Sequence, residues 1–359
     1  MVTEQYTVAT QKYNFPQSSM DASLPQRFLE LSINSLRQVR GQPFQLNQQS
    51  IQQNNPYENC SVTLQLARQS IPLKPRSCET LVAAIDSSTI KIAETSTGTI
   101  IAVRGATIWK ENGTYRYTRL GPFIFHITED NKKEVYNSLE KSYFKTLYAS
   151  SHQSTPSLVQ MPMRLASLLE RWLQIMIART VTNGILLFDG SLTSGTFDTP
   201  VERMREILSI ARKCGNTVLA FSKATSLRIN GYIITDLLPE RDPPYLVETT
   251  GLRFKPPIIL LGDVYVARLN KANIAFRLDI DREIPFLNKI EAVEKLIGND
   301  VFQSYPETLR LAHILCTFTA SEVLAIQHFI TREHGIQIIN RPDMHRLLFG
   351  PYGRGEGYA

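Results

Sequence analysis

The sequence predicts an α/β protein: a mixed sheet in which an antiparallel meander leads into a parallel strand–helix–strand unit, flanked by helices, with an added hairpin and C-terminal helices. Three observations predict it. Two apolar runs each lead into an acid and small polar residues, Leu81-Val82-Ala83-Ala84-Ile85-Asp86-Ser87-Ser88 and Gly184-Ile185-Leu186-Leu187-Phe188-Asp189-Gly190-Ser191-Leu192. Near-continuous apolar runs of this kind read as strands buried on both faces. Between and after them the apolar spacing switches from strand-like to helical and back.

Residues 1–22 are polar, and 24–40 has helical spacing through Leu29, Leu31, Ile33 and Leu36. A Gln/Asn-rich passage at 45–55 reads as a linker. The chain therefore divides into 1–60, an N-terminal helix with its linker, and 61–359, the main domain. A helix set apart in this way would pack on a partner subunit or dock loosely as an arm.

Strand-like runs follow at 81–86, 98–104, 106–110, 114–118 and 123–128, with Asn112-Gly113 as a hairpin signal. Arg104, Lys110, Arg116 and Arg119 lie among them and are expected on a solvent face. Helical spacing runs over 131–148 and again over 163–180. In the second helix Leu165, Leu168, Leu169, Trp172, Leu173 and Met176 share one stripe, and Glu170 falls on a flank beside Met163, Ala166 and Ile177.

Strand 185–189 is followed by Thr199-Pro200-Val201-Glu202, which reads as a capping box with proline at the first helical position. Gly215 ends that helix. Strand 217–221 completes the unit, so it should lie parallel to 185–189 through a right-handed crossover. Ser222-Lys223 then falls on the edge where Asp189 emerges. Runs 258–269 and 274–280 form the added hairpin, which offers Arg268, Lys271 and Arg277 to phosphates or to solvent. Helices at 291–297, 306–318 and 321–333 follow; the second has Tyr305-Pro306 at its start and His313 within it.

A composition of 43% hydrophobic and 20% charged residues can bury a sizeable core. No apolar run is long enough to span a bilayer, and Met1-Val2-Thr3-Glu4-Gln5-Tyr6 lacks the basic and apolar regions of a signal peptide. The expected location is the cytoplasm, without a membrane. A net charge of +6 suits nucleic acid without requiring it. Cys60, Cys78, Cys214 and Cys316 are scattered with no C-x-x-C pair, which argues against a zinc ribbon or a disulfide framework.

The order of elements is that of the ribonuclease H-like fold: an acid-tipped strand opening a meander, a helix, a second acid-tipped strand, a helix, a parallel strand and late helices. In that fold, carboxylates on the first strand, the first core helix and the fourth strand hold two divalent ions. The matching positions are Asp86, Glu170 and Asp189. Carboxylates are the hard ligands that manganese and magnesium want. A metal pair activates water and stabilises a leaving oxygen. His313, on a late helix, could add a ligand or carry a proton. Taken singly, each Asp also suits a turn, Glu170 a solvated flank, and His313 a hydrogen-bonded core site.

Four stretches together resemble the NurA nucleases, DNA-end-processing enzymes of archaea and some bacteria. They are Ala83-Ala84-Ile85-Asp86-Ser87-Ser88, Leu186-Leu187-Phe188-Asp189-Gly190-Ser191-Leu192, Ala220-Phe221-Ser222-Lys223, and Ser304-Tyr305-Pro306 with Leu309 and Ala312-His313. The resemblance runs from about residue 80 onward. Ser87 stands where the family motif has glycine, a place where it could restrict the backbone.

The resemblance implies a manganese-dependent 5′-to-3′ exonuclease with single-strand endonuclease activity, using two manganese ions or magnesium in their place. It implies a homodimeric ring that docks on a hexameric HerA-type translocase and resects broken DNA ends for recombinational repair. It makes Asp86, Glu170 and Asp189 metal ligands and His313 a ligand or proton carrier. Tyr305 would shape the site or touch DNA, and Lys223 would neutralise a phosphate. Two other readings stand beside it: a non-catalytic dimeric adaptor that threads DNA for a translocase, and another ribonuclease H-like nuclease acting on RNA or junctions. The intact set of acids speaks against the adaptor, because a binding module needs no metal ligands.

Overall fold

The computed structural model describes residues 23–37, 43–45, 65, 66 and 70–339, apart from 145–155, 197, 198, 230, 231, 240, 253, 255 and 273. The meander consists of three long strands, β1 (Val82–Thr95), β2 (Gly98–Glu111) and β3 (Thr114–Thr128). The short runs expected at 98–104 and 106–110 are one strand, and so are those at 114–118 and 123–128. Where a break was expected the ladder only shifts register, between Val103 and Gly105. β1 likewise continues to Thr95, so Asp86 lies within its strand and not at the tip.

What ends beside Asp86 is the neighbouring strand, β4 (Ile185–Asp189). It pairs parallel to β1 from Val82↔Ile185 to Ile85↔Phe188. β5 (Thr217–Ser222) pairs parallel to β4. Beyond them β6 (Tyr245–Thr250), β7 (Gly262–Arg268) and β8 (Phe276–Asp281) extend the sheet with antiparallel pairing. The resulting order, β3-β2-β1-β4-β5-β8-β7-β6, opens with the ribonuclease H-like arrangement and adds the expected hairpin at its edge.

Strands buried on both faces need a helical layer on each side. One layer holds α1 (Ser23–Arg37), α2 (Lys132–Phe144), α3 (Met161–Thr180) and α4 (Val201–Lys213). Their apolar stripes close over Ala83, Ile85, Leu186, Phe188, Val218 and Ala220. The other holds α5 (Phe286–Asn299) and α6 (Glu307–Cys316), which cover Val82, Ala84, Ile185, Leu187, Leu219 and Phe221. α7 (Ala320–His334) packs Ile326 and Ile330 on the far end of the meander.

Two local expectations need correction. The N-terminal helix is no loose arm: Phe28 is fully buried against Phe123 and Phe125 of β3. Burying a side chain of that size stabilises by about 2–3 kcal/mol, enough to hold a short helix on the sheet. The Gln/Asn-rich passage after it lies outside the described residues, save Gln45 in a short strand. The capping box at Thr199 does not form, because Pro200 is the N-cap and makes no side-chain cap bond. A capping box does form at α7, between Thr319 and Glu322.

Among the described residues one span, Glu307–His334, is long and apolar enough to cross a membrane, contrary to the sequence expectation; it is divided into α6 and α7 around Thr317–Thr319 and lies on the sheet. Its docking depends on Arg104, expected in solvent but 1% exposed. The guanidinium donates to Thr317 O and Glu322 Oε2 at 3.2 and 3.1 Å and lies 4.3 Å from the centre of the Phe318 ring. Arg119 also pairs with Glu322. Burial alone would push the Glu322 carboxyl up, but Arg104, the Thr319 N–H and Arg119 outweigh it and hold the group at about 2. That value lies below the ordinary one, so the stabilisation is present above about pH 4.5 and is lost as pH falls toward 2. Glu322→Gln should therefore cost roughly 2–3 kcal/mol of stability at neutral pH. In denaturant melts against pH, the gap to the parent should narrow below pH 4.5. A constant gap would show that the charge is not what anchors α7.

Candidate active site

Side chains alternate along a strand, so Asp86 shares the face of Val82 and Ala84, and Asp189 that of Ile185 and Leu187. Both faces are the one covered by α5 and α6. The last paired residues, Ile85 and Phe188, immediately precede the two acids. Asp86 and Asp189 thus stand at one level on adjacent strands, although only Asp189 ends its strand. Gly190 carries the chain away at φ +95°, a left-handed angle that favours glycine.

His313 reaches the same place from above. Leu309 and Ala312 of α6 are buried on the sheet, and the imidazole one position on meets Asp86, with Nδ1 2.8 Å from Oδ2. About half of the His313 side chain is exposed. The pairing orients the ring and leaves its second nitrogen to a ligand or a proton.

Glu170 comes from the opposite layer. Residue 87 alternates to the α3 face, and the Ser87 hydroxyl donates to Glu170 Oε2 at 3.2 Å while its N–H donates to Asp86 Oδ1 at 2.7 Å. Ser87 therefore links two acids that lie on different faces of the sheet. The departure from glycine costs nothing in this extended strand and supplies that contact. Gly105, paired with Ser87, lets α3 approach: a Cβ there would lie 2.7 Å from Leu173 Cδ1. Glu170 also accepts from Gln174 Nε2 at 3.3 Å and lies 3.5 Å from the Arg171 guanidinium.

Lys223, read from the sequence as a phosphate neutraliser, donates to Asp189 Oδ2 at 2.9 Å. Its Nζ lies 6.0 Å from the centre of the Tyr305 ring. Tyr305 packs against Phe221 and Phe276 at centroid distances of 6.0 and 5.2 Å, so its ring shapes one wall of the site. Its hydroxyl is buried and has no hydrogen-bond partner among the described residues.

The electrostatics follow from burial and like charge. Burial foremost, then the field of Asp189, raises the Asp86 carboxyl above its ordinary value, against hydrogen bonds from His313 and the Ser87 N–H. Burial also raises Glu170, and the fields of Asp86 and Asp189 add to it, while Arg171 and Ser87 pull it down. The same two aspartates, after burial, raise the Tyr305 phenol. Asp86 and Glu170, whose negative charge is held at a cost, stand with Asp189 beside an imidazole, and such a set suits a hard divalent cation. Asp86, Asp189 and Glu170 are the oxygen donors that would hold it, with His313 at hand as a further ligand.

Two features escaped the sequence. Arg277, read there as exposed, is buried and pairs with Asp279 at 2.7 Å. Asp279 in turn accepts from the Leu192 N–H at 3.0 Å and fixes the chain that follows Asp189. Cys316 stands one turn after His313. Among the described residues, the ligand atoms of Asp86, His313 and Cys316 lie within 4.8 Å of one another. The His-x-x-Cys spacing was visible, but nothing in it tied the pair to Asp86.

No protein-family model matches the sequence, and no curated protein matches it. Among solved structures the chain is similar to the NurA nuclease from Sulfolobus solfataricus, with 15% identity and a TM-score of 0.46 over 74% of this chain and 88% of that one. It is similar to a NurA bound to dAMP and manganese at 9% identity and TM-score 0.44, over 74% and 90% of the two chains. An A. aeolicus Argonaute is similar at 12% identity and TM-score 0.29, over 67% of this chain and 29% of that one.

The raised carboxyls make a stability prediction. Their folded values lie above the ordinary ones, so the ionised acids cost stability at neutral pH, and the cost fades as pH falls. Asp86→Asn removes one of these charges and should melt at or above the parent temperature in chelator. Manganese should raise the melting temperature of the parent and barely move that of the variant. An equal manganese shift in both proteins would place the ion elsewhere.

Proposed function

We propose that the chain is a metal-dependent deoxyribonuclease that hydrolyses phosphodiester bonds in the cleft between β1, β4 and α6. One observation carries the reading: Asp86 and Asp189 stand side by side on parallel strands, with His313 on the same face and Glu170 joined to Asp86 through Ser87. That is a set of hard donors at the carboxyl edge of a parallel pair, where open α/β sheets place their sites. A bound pair of manganese ions, or magnesium in their place, would supply Lewis-acid polarisation of the phosphate and a water of lowered pKa.

The chain's own groups have separate tasks. Asp86, Asp189 and Glu170 supply negative charge to the cations. Asp86 fixes the His313 ring through Nδ1, so that the second nitrogen can ligate or carry a proton. Lys223 lies beside Asp189 and would turn to a substrate phosphate once Asp189 is otherwise engaged. Tyr305 bounds the cleft and has a hydroxyl ready to donate. The sequence motifs support DNA as the substrate and a 5′-to-3′ exonuclease with single-strand endonuclease activity. They likewise support a homodimer that works with a HerA-type hexameric translocase to resect broken ends for repair.

The test is cleavage of end-labelled linear duplex and single-stranded DNA with manganese, beside matched RNA and a chelator control. Cutting of DNA should require the metal. Asp189→Asn and Glu170→Gln should each lower the rate by about 10²-fold or more, the scale of losing a group that stabilises transition-state charge. Well-folded protein that cuts nothing, with or without a translocase, would favour the DNA-threading adaptor. Cutting that survives both variants would put the chemistry elsewhere, and preference for RNA would change the substrate class.

A further inference from the structure

The donors around His313 are of two kinds. Toward β4 and α3 they are carboxylates. Toward the end of α6 the next donor is a sulfur. The Cys316 thiol is fully buried and donates to the His313 carbonyl at 3.3 Å. The Cys316 carbonyl accepts from the Ser88 hydroxyl, which ties this end of α6 to the strand that carries Asp86. The ligand atoms of Asp86, His313 and Cys316 all lie within 4.8 Å of one another. One thiolate, one imidazole and one carboxylate form the borderline-soft set that zinc prefers and that manganese and magnesium do not. With three protein donors, the fourth tetrahedral position is left to water or a ligand.

We propose that Asp86, His313 and Cys316 form a site for a thiophilic divalent ion of the zinc class, and that its occupation holds the enzyme off. The thiol releases its proton to solvent as the sulfur takes the ion. Asp86 and His313 are shared with the hard-metal cluster, so the two kinds of ion compete for them. The inhibitory half rests on the nuclease reading given above; the binding half does not. The class of regulator is therefore a free zinc-type cation, and the competitor is manganese or magnesium.

Cobalt is the probe for binding, because a cobalt–thiolate bond gives a near-ultraviolet charge-transfer band. The metal-free full-length protein should show that band with cobalt and lose it when zinc is added. Cys316→Ser and His313→Gln should each abolish the band and weaken zinc binding by about 10- to 100-fold, measured by calorimetry. Glu170→Gln and Asp189→Asn, which lie outside the sulfur set, should retain the band. Metal-free melting temperatures establish that each variant folds. His313→Gln changes a half-exposed side chain and serves if the buried Cys316→Ser does not fold. No band in the parent, or a band that survives Cys316→Ser, would overturn the site.

For inhibition, manganese-dependent cutting is titrated with zinc, each protein compared with its own zinc-free rate. The parent should be inhibited, with relief by excess manganese, and Cys316→Ser should need about tenfold more zinc. Equal sensitivity of the two would overturn the regulatory half. If the parent shows the cobalt band but never cuts DNA, the soft-metal site stands while the nuclease reading falls.

Discussion

Two like charges on adjacent parallel strands are the constraint to which the rest of the structure answers. Asp86 and Asp189 are placed together by nothing more than strand register, and each raises the cost of ionising the acids around it. A core would not keep such a pair for stability, since every unit of pKa shift is about 1.4 kcal/mol of unfavourable interaction. The surrounding groups reduce the cost only in part. Lys223 pairs with Asp189, Arg171 lies by Glu170, and the Ser87 N–H and His313 engage Asp86. The remaining repulsion is what a divalent cation bound there would relieve.

The sheet explains why the acids can be held so close. The parallel ladder β1-β4-β5 is covered on both faces, and its apolar side chains fix register, since a one-residue slip would turn every one of them to the wrong layer. Register in turn fixes which face each acid takes. Asp86 and Asp189 must face α6, and Ser87 must face α3. Ser87 therefore bridges Glu170 to Asp86, and the site has a component from each helical layer joined by one serine.

Much of this is legible in the sequence, and the reason is local. The central strands announce themselves as apolar runs, and the acids that follow fall at the same offset in both. Glu170 and His313 were placed by element order, which survives the fusion of the short meander strands. What was hidden depends on contacts between distant elements. Arg104 and Arg277 read as surface charge because sequence does not show that Glu322 and Asp279 wait for them. Ser87 looked like a departure from glycine, and its value appears only when the pleat aims it at α3. Thr199 has the residues of a capping box, yet its N–H bonds to the Thr196 hydroxyl and its carbonyl to the Gly195 N–H, and Pro200 becomes the cap.

His313 owes its position to both ends of α6. At the first turn, Asp300 accepts from the Thr308 N–H and hydroxyl at 3.0 and 2.7 Å and from the Tyr115 hydroxyl of β3 at 3.0 Å. At the last turn, the Cys316 carbonyl accepts from Ser88 of β1, and beyond it Arg104 of β2 holds Thr317 O. The helix is thus tied at each end to the meander that carries Asp86. These ties hold the backbone of His313 beside Asp86, so the imidazole and carboxylate are brought together by the fold and little backbone reorganisation opposes a change of proton or ligand. The ion bound, more than movement of the fold, would then decide whether Asp86 and His313 serve the carboxylates on one side or the sulfur on the other.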